Sequence, residues 1–97
     1  MADLLEADAL LAALAALDDW KGDPLVLTRT VELASFPAAV AVVDRVAEVA
    51  EELDHHPDID IRSRTLTFRL STHSAGGVTQ RDVDLAQRIE AILADQG

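Results

Sequence analysis

Three side chains of this sequence can give and take protons near neutral pH, His55, His56 and His73. They are the only histidines in the chain. Imidazole, with an unperturbed pKa of about 6.5, is the usual general acid or base at that pH. All three fall within residues 51–73, EELDHHPDIDIRSRTLTFRLSTH, which open as a helix-like run closing on the His55-His56 pair. The stretch ends as a strand-like run closing on Ser71-Thr72-His73. Three imidazoles at the ends of regular elements point to a proton-transfer site. The plainer reading of His55-His56 is a solvated helix end, where imidazole complements the carbonyl dipoles. Zinc is another use for three histidines. Neighbouring side chains point apart in helix and strand alike, so His55 and His56 are poorly placed to share one ion, and no metal is expected.

Two acids lie within reach of these histidines. Glu51 precedes His55 by four residues, a helical spacing at which the two side chains meet and the carboxylate orients the ring. Asp82 leads the apolar stripe of a final helix and is placed to aim at the sheet. It also completes Thr79-Gln80-Arg81-Asp82, a capping box with Asp in place of the usual Glu, and capping is its expected main task.

The elements that must hold these residues read from periodicity. Residues 3–17 form a helix on Ala7, Leu10, Leu14 and Leu17, with Leu11 widening the stripe. Lys21-Gly22-Asp23-Pro24 is turn chemistry. Residues 25–33 alternate as a strand, with Leu25, Leu27, Val31 and Leu33 on one parity and Arg29 interrupting it. Ser35 caps a second helix with Pro37 in its first turn, and Phe36, Val40, Val43, Ala47, Ala50 and Leu53 mark its apolar face. Pro57 stops that helix at the histidine pair. Residues 59–62 and 65–72 are two further strands, close enough to form a hairpin. In the second, Leu66, Phe68 and Leu70 oppose Thr65, Thr67, Arg69, Ser71 and His73, which assigns His73 to the polar side of a sheet whose other face is covered by helices. A last helix runs on Leu85, Ala86, Ile89, Ile92 and Leu93. The order implies an antiparallel α+β sandwich.

The 97-residue length suits one domain spanning residues 1–97, and 49% hydrophobic content supplies its core. That core must be aliphatic, because Trp20, Phe36 and Phe68 are the only aromatics. A net charge of −10, from 18 acidic and 8 basic side chains, repels nucleic acid and anionic membranes. With no cysteine there are no disulfides or thiolate metal sites. The Leu/Ala-rich front carries Asp3, Glu6 and Asp8 and no basic residue before Lys21, unlike a secretory signal. A soluble, cytoplasmic protein is expected.

The pattern Glu51-x-x-x-His55-His56-Pro57, then Ser71-Thr72-His73, then Gly76-Gly77-x-x-x-x-Asp82, resembles the signature of the pterin-4a-carbinolamine dehydratases. The likeness extends to Trp20 and to Asp82-Val83-Asp84-Leu85-Ala86, and so spans most of the chain. It implies a four-stranded antiparallel sheet with three helices packed on one face, in the order α-β-β-α-β-β-α, the short first strand lying near Trp20. It also implies a hydro-lyase that dehydrates a 4a-hydroxytetrahydropterin, recycling the pterin of aromatic amino-acid hydroxylases. That reaction delivers a proton to the departing hydroxyl and removes one from the neighbouring ring nitrogen, with no redox change, metal or other cofactor. The resemblance assigns the proton transfers to His55, His56 and His73, of which His56 and His73 are expected to be the principal pair with His55 binding or assisting, and pterin binding to Asp54, Ser71, Thr72 and Ser74 beside the histidines. It implies a homodimer or homotetramer. Animal members of the family also bind a transcription factor through a helix, so a coactivator-like interaction module is an alternative, as is a pterin-binding role linked to molybdopterin metabolism. Ser63 and Asp58-Ile59-Asp60 stand where many members carry aromatic residues, which thins any ring-stacking wall.

Overall fold

A computed structural model describes residues 3–96 of the chain. Its elements are α1 (Ala7–Ala16), β1 (Lys21–Gly22), β2 (Leu27–Glu32), α2 (Phe36–Leu53), β3 (Asp58–Arg62), β4 (Thr65–Leu70), a 3₁₀ turn (His73–Ala75) and α3 (Gln80–Gln96). The strands make one antiparallel sheet in the order β1-β2-β4-β3, with the three helices on one face. This is the α-β-β-α-β-β-α architecture that the resemblance implied.

Alternation builds the sheet. Leu66, Phe68 and Leu70 of β4 are buried, and the register sets them against Val31 and Ile61, Ile59, and Leu27 on the neighbouring strands. The other row of β4 is polar, and Thr67 meets Thr30 of β2 through a 3.1 Å hydroxyl contact. Arg29 has the inward parity of β2 and is accommodated there by pairing. Glu90 of α3 accepts from Arg29 Nε and from Trp20 Nε1, each at 2.7 Å, so one carboxylate joins β2, the α1–β1 connection and α3. A charge on the covered face is tolerable only with such a partner.

The elements differ from expectation at their ends and in one rotation. The first helix begins at Ala7, because the preceding residues are extended: Leu4 bridges Thr79, and the Leu5 N–H donates to Val78 O at 3.0 Å. Leu10 and Leu17 are buried, whereas Ala7 and Leu11 are exposed. Leu25 lies outside β2 in a turn where the Asp23 carboxylate accepts from the backbone of Leu25 and Val26. In α2, Ser35 accepts from the Ala38 N–H at 3.1 Å, as a cap should, but the buried row is Ala39, Val42, Val46 and Ala50. Phe36 and Val40, from the expected row, are 54% and 37% exposed. Apolar residues follow both rows, so period alone does not choose the rotation. Across α2 and α3, Arg88 donates to Glu52 at 2.8 Å and holds its carboxyl below the ordinary 4.5. The contribution of that clasp is present above the carboxylate range and is lost on acidification through the lowered pKa.

No helix among the described residues is long and apolar enough to cross a membrane.

The loop between β4 and α3 is held by close backbone approach. Val78 N–H donates to Pro24 O at 2.9 Å, and Thr72 pairs with Gly77 as an isolated bridge. A Cβ on Gly77 would stand 2.4 Å from Pro24 O and 3.0 Å from Leu4 Cδ2. Gly77→Ala is expected to cost about 1–3 kcal/mol, the usual range for overpacking, read from denaturant unfolding. Wild-type stability in that variant would show that the contact with Pro24 yields.

Candidate active site

The site begins where α2 stops. Asp54 adopts the left-handed conformation, φ 51° and ψ 46°, which is less costly for Asp than for most side chains. Its N–H donates to Glu51 O and the His55 N–H to Ala50 O at 2.9 Å, the paired closure of a helix end that glycine usually supplies. This turn takes His55 out of the helix and separates the two imidazoles. His55 is 8% exposed and its Nε2 lies 2.5 Å from Asp82 Oδ1. His56 is exposed, and its Nε2 pairs with Glu51. The expected Glu51–His55 pairing is therefore corrected: helical spacing does not apply beyond Leu53, and Glu51 orients His56 instead.

Asp82 is fully buried and accepts from three parts of the chain. The Thr79 N–H reaches its Oδ2 at 2.9 Å, the capping contact read from sequence, and Thr72 Oγ1 donates to the same oxygen at 2.8 Å. The ring of His55 completes the set. An ionised carboxylate only accepts, so His55 Nε2 must carry the proton in this contact. Thr79 Oγ1 lies 2.7 Å from Thr72 Oγ1 and accepts from the Arg81 N–H at 3.2 Å. Among the described residues no buried side-chain polar atom lacks a partner.

β4 stops at Leu70, so His73 is presented by the 3₁₀ turn rather than by the strand. Gly76, with φ 79°, closes that turn in a conformation suited to glycine. Thr72 points inward, 2% exposed, and His73 outward. The resulting pocket, about 390 Å³, is lined by His55, His56 and His73 together with Asp54, Ser71, Thr72 and Ser74. Glu51 and Asp82 are outside the lining, each bonded to one of its histidines. A second pocket of 430 Å³, between β2 and the end of α3, contains no histidine. Sequence reasoning passed over Pro57, Asp58 and Arg81 in the lining of the first. Arg81 carried a signal: a cation in the first turn of a helix opposes the dipole, which invites the question of what else it binds. Among the described residues no group of three or more His, Cys, Asp or Glu is arranged to hold a metal ion.

Comparison with known proteins settles the lineage. The family model for pterin 4 alpha carbinolamine dehydratase matches residues 3–92. The chain belongs to that family. A pterin-4-alpha-carbinolamine dehydratase homologue of Nocardia farcinica is 57% identical over 90 residues, covering 93% of this chain and 95% of the relative. Another, from Mycolicibacterium smegmatis, is 50% identical over 92 residues, covering 95% and 98%. A crystal structure of a transcriptional coactivator/pterin dehydratase from Brucella melitensis superposes with a TM-score of 0.90 at 32% identity, over 98% of this chain and 100% of that one. A pterin dehydratase-like RuBisCO assembly factor of the alpha-carboxysome shares the fold, with a TM-score of 0.62 at 23% identity, over 75% of this chain and 84% of that one.

In this pterin-4a-carbinolamine dehydratase family member, Asp82 is the joint between scaffold and site. Asp82→Asn removes the charge that its three donors satisfy and is expected to lower stability by about 3 kcal/mol. Thr72→Val, which deletes one donor with little change of shape, should cost about 1–2 kcal/mol. Chemical denaturation measures both; an Asp82→Asn protein as stable as wild type would contradict the network.

Proposed function

We propose that this protein dehydrates a 4a-hydroxytetrahydropterin to the quinonoid dihydropterin by histidine general acid/base catalysis, recycling in the cytoplasm the pterin used by an aromatic amino-acid hydroxylase. The reading rests on one pocket that gathers three imidazoles from the end of α2 and the turn after β4. The reaction asks for one group to protonate the departing hydroxyl and one to take the proton of the adjacent ring nitrogen.

His56 and His73 are assigned as that pair. Both are exposed to the pocket; His56 is oriented by Glu51, and His73 has no side-chain partner among the described residues. His55, held by Asp82, assists by binding the ring. Asp54, Ser71, Thr72 and Ser74 supply the remaining polar contacts. Asp54 and Asp58 on the lining disfavour a phosphate-bearing pterin, which weighs against the link to molybdopterin.

A second reading has its own observation. Phe36 and Val40 form an exposed apolar strip on α2, the kind of surface a protein-interaction module uses. That strip and the open edge of β3 are also where we place self-association into a homodimer or homotetramer. Light scattering is expected to give a dimer or tetramer mass, and a monomer at micromolar concentration would remove that part.

The catalytic reading is tested by the rate of carbinolamine dehydration with pure protein. His56→Ala and His73→Ala are each expected to lower kcat by about 10²–10⁴, and the wild-type kcat/KM should show an inflection in the imidazole range. Wild-type activity no greater than that of the two variants would overturn it. A protein inert toward pterins that recovers a stoichiometric partner would favour the interaction module.

A further inference from the structure

Arg81 stands in a place that its own helix does not favour. It is the second residue of α3, where the dipole opposes a cation, and its guanidinium turns away to the end of α2. There Nη2 donates to Asp54 O and lies 3.5 Å from Leu53 O. These are terminal carbonyls that a helix leaves without intrahelical donors, and a cation at that end suits the α2 dipole. The backbone N–H of Arg81 is meanwhile tied to Thr79 Oγ1, inside the network around Asp82. One residue thus clamps the turn at Asp54 to the segment that carries Asp82.

A smaller cavity lies beside this clamp. About 130 Å³ in volume, it is lined by Leu53, His55, Arg81 and Asp84. His55 and Arg81 line the histidine pocket as well, so the two spaces share these two side chains. The contact of His55 with Asp82 is buried, and such a contact is strong only while water is kept out.

We propose that Arg81 is a positioning residue of the site: it pins the last carbonyls of α2, fixing the turn that sends His55 to Asp82 and His56 to Glu51. This rests on the dehydratase reading for its kinetic consequence and not for its structural one. The guanidinium is engaged by the protein's own carbonyls, so its effect falls on the geometry of the imidazoles rather than on pterin affinity.

The test compares wild type with Arg81→Ala, Arg81→Gln and Arg81→Lys. Steady-state dehydration kinetics and amide hydrogen exchange are measured at a temperature where circular dichroism shows every variant folded. Misplacement of a reacting group by about 1 Å costs on the order of 10²-fold in rate. Arg81→Ala and Arg81→Gln are therefore expected to lose about 10- to 100-fold in kcat with KM changed less than about threefold, and Arg81→Lys, which keeps charge and a donor, to recover part of the loss. Exchange at the His55 amide, bonded to Ala50 O, should quicken at least about tenfold in Arg81→Ala. A raised KM with kcat retained would make Arg81 a substrate contact and overturn the proposal, as would wild-type kinetics in Arg81→Ala. Unchanged exchange at His55 would overturn it too, even if the wild type proved inactive toward the carbinolamine; that inactivity by itself sinks the dehydratase reading and leaves the exchange result to decide on Arg81.

Discussion

A carboxylate with no access to water holds this structure together at its functional end. Moving an ionised Asp from water to an apolar interior costs several kcal/mol unless hydrogen bonds replace the lost solvation. Asp82 meets that demand with a backbone N–H of its own helix start, a threonine hydroxyl beyond β4, and an imidazole from the end of α2. The end of α2, 27 residues away, and the turn after β4 are thereby brought to the start of α3. Because an ionised acid accepts and never donates, it also dictates which nitrogen of His55 bears hydrogen.

Two adjacent histidines acquire different environments from this arrangement. The left-handed turn at Asp54 rotates the chain between them, so that one ring goes inward to a buried acid and the other outward to an exposed one. The same residue type is thus divided into a fixed ring and a solvated ring by a local turn and one distant acid. His73 arrives from the opposite wall on a short turn, held by the bridge between Thr72 and Gly77 and by the approach of the Pro24 carbonyl. The scaffold beneath is a mainly aliphatic core whose largest fully buried side chain is Phe68.

Much of this was legible in the sequence, for reasons that differ by element. Strand alternation in β4 was strong because every inward residue is Leu or Phe and every outward one Thr or Arg. The Ser35 cap and the Thr79–Asp82 box were legible because capping is local chemistry. The rotation of α2 was not, since two rows of that helix are apolar and the choice belongs to what packs on it. Arg29 interrupted the β2 pattern in sequence because its partner, Glu90, lies 61 residues away. The contact of His55 with Asp82 is long-range in the same way, 27 residues apart, and spacing rules pointed Glu51 to the wrong neighbour because they assume a helix that has already ended. Composition and the histidine pattern suggested proton chemistry; the likeness to known dehydratases supplied the substrate class.

The central claim is that Asp82 fixes the protonation pattern of His55, and long-range ¹H–¹⁵N correlation of the imidazole nitrogens tests it most directly. The account predicts that neutral His55 is found as the Nε2–H tautomer, with a slowly exchanging ring proton that vanishes in Asp82→Asn. A ring protonated at Nδ1, or one averaging rapidly between both forms in the wild type, would contradict it.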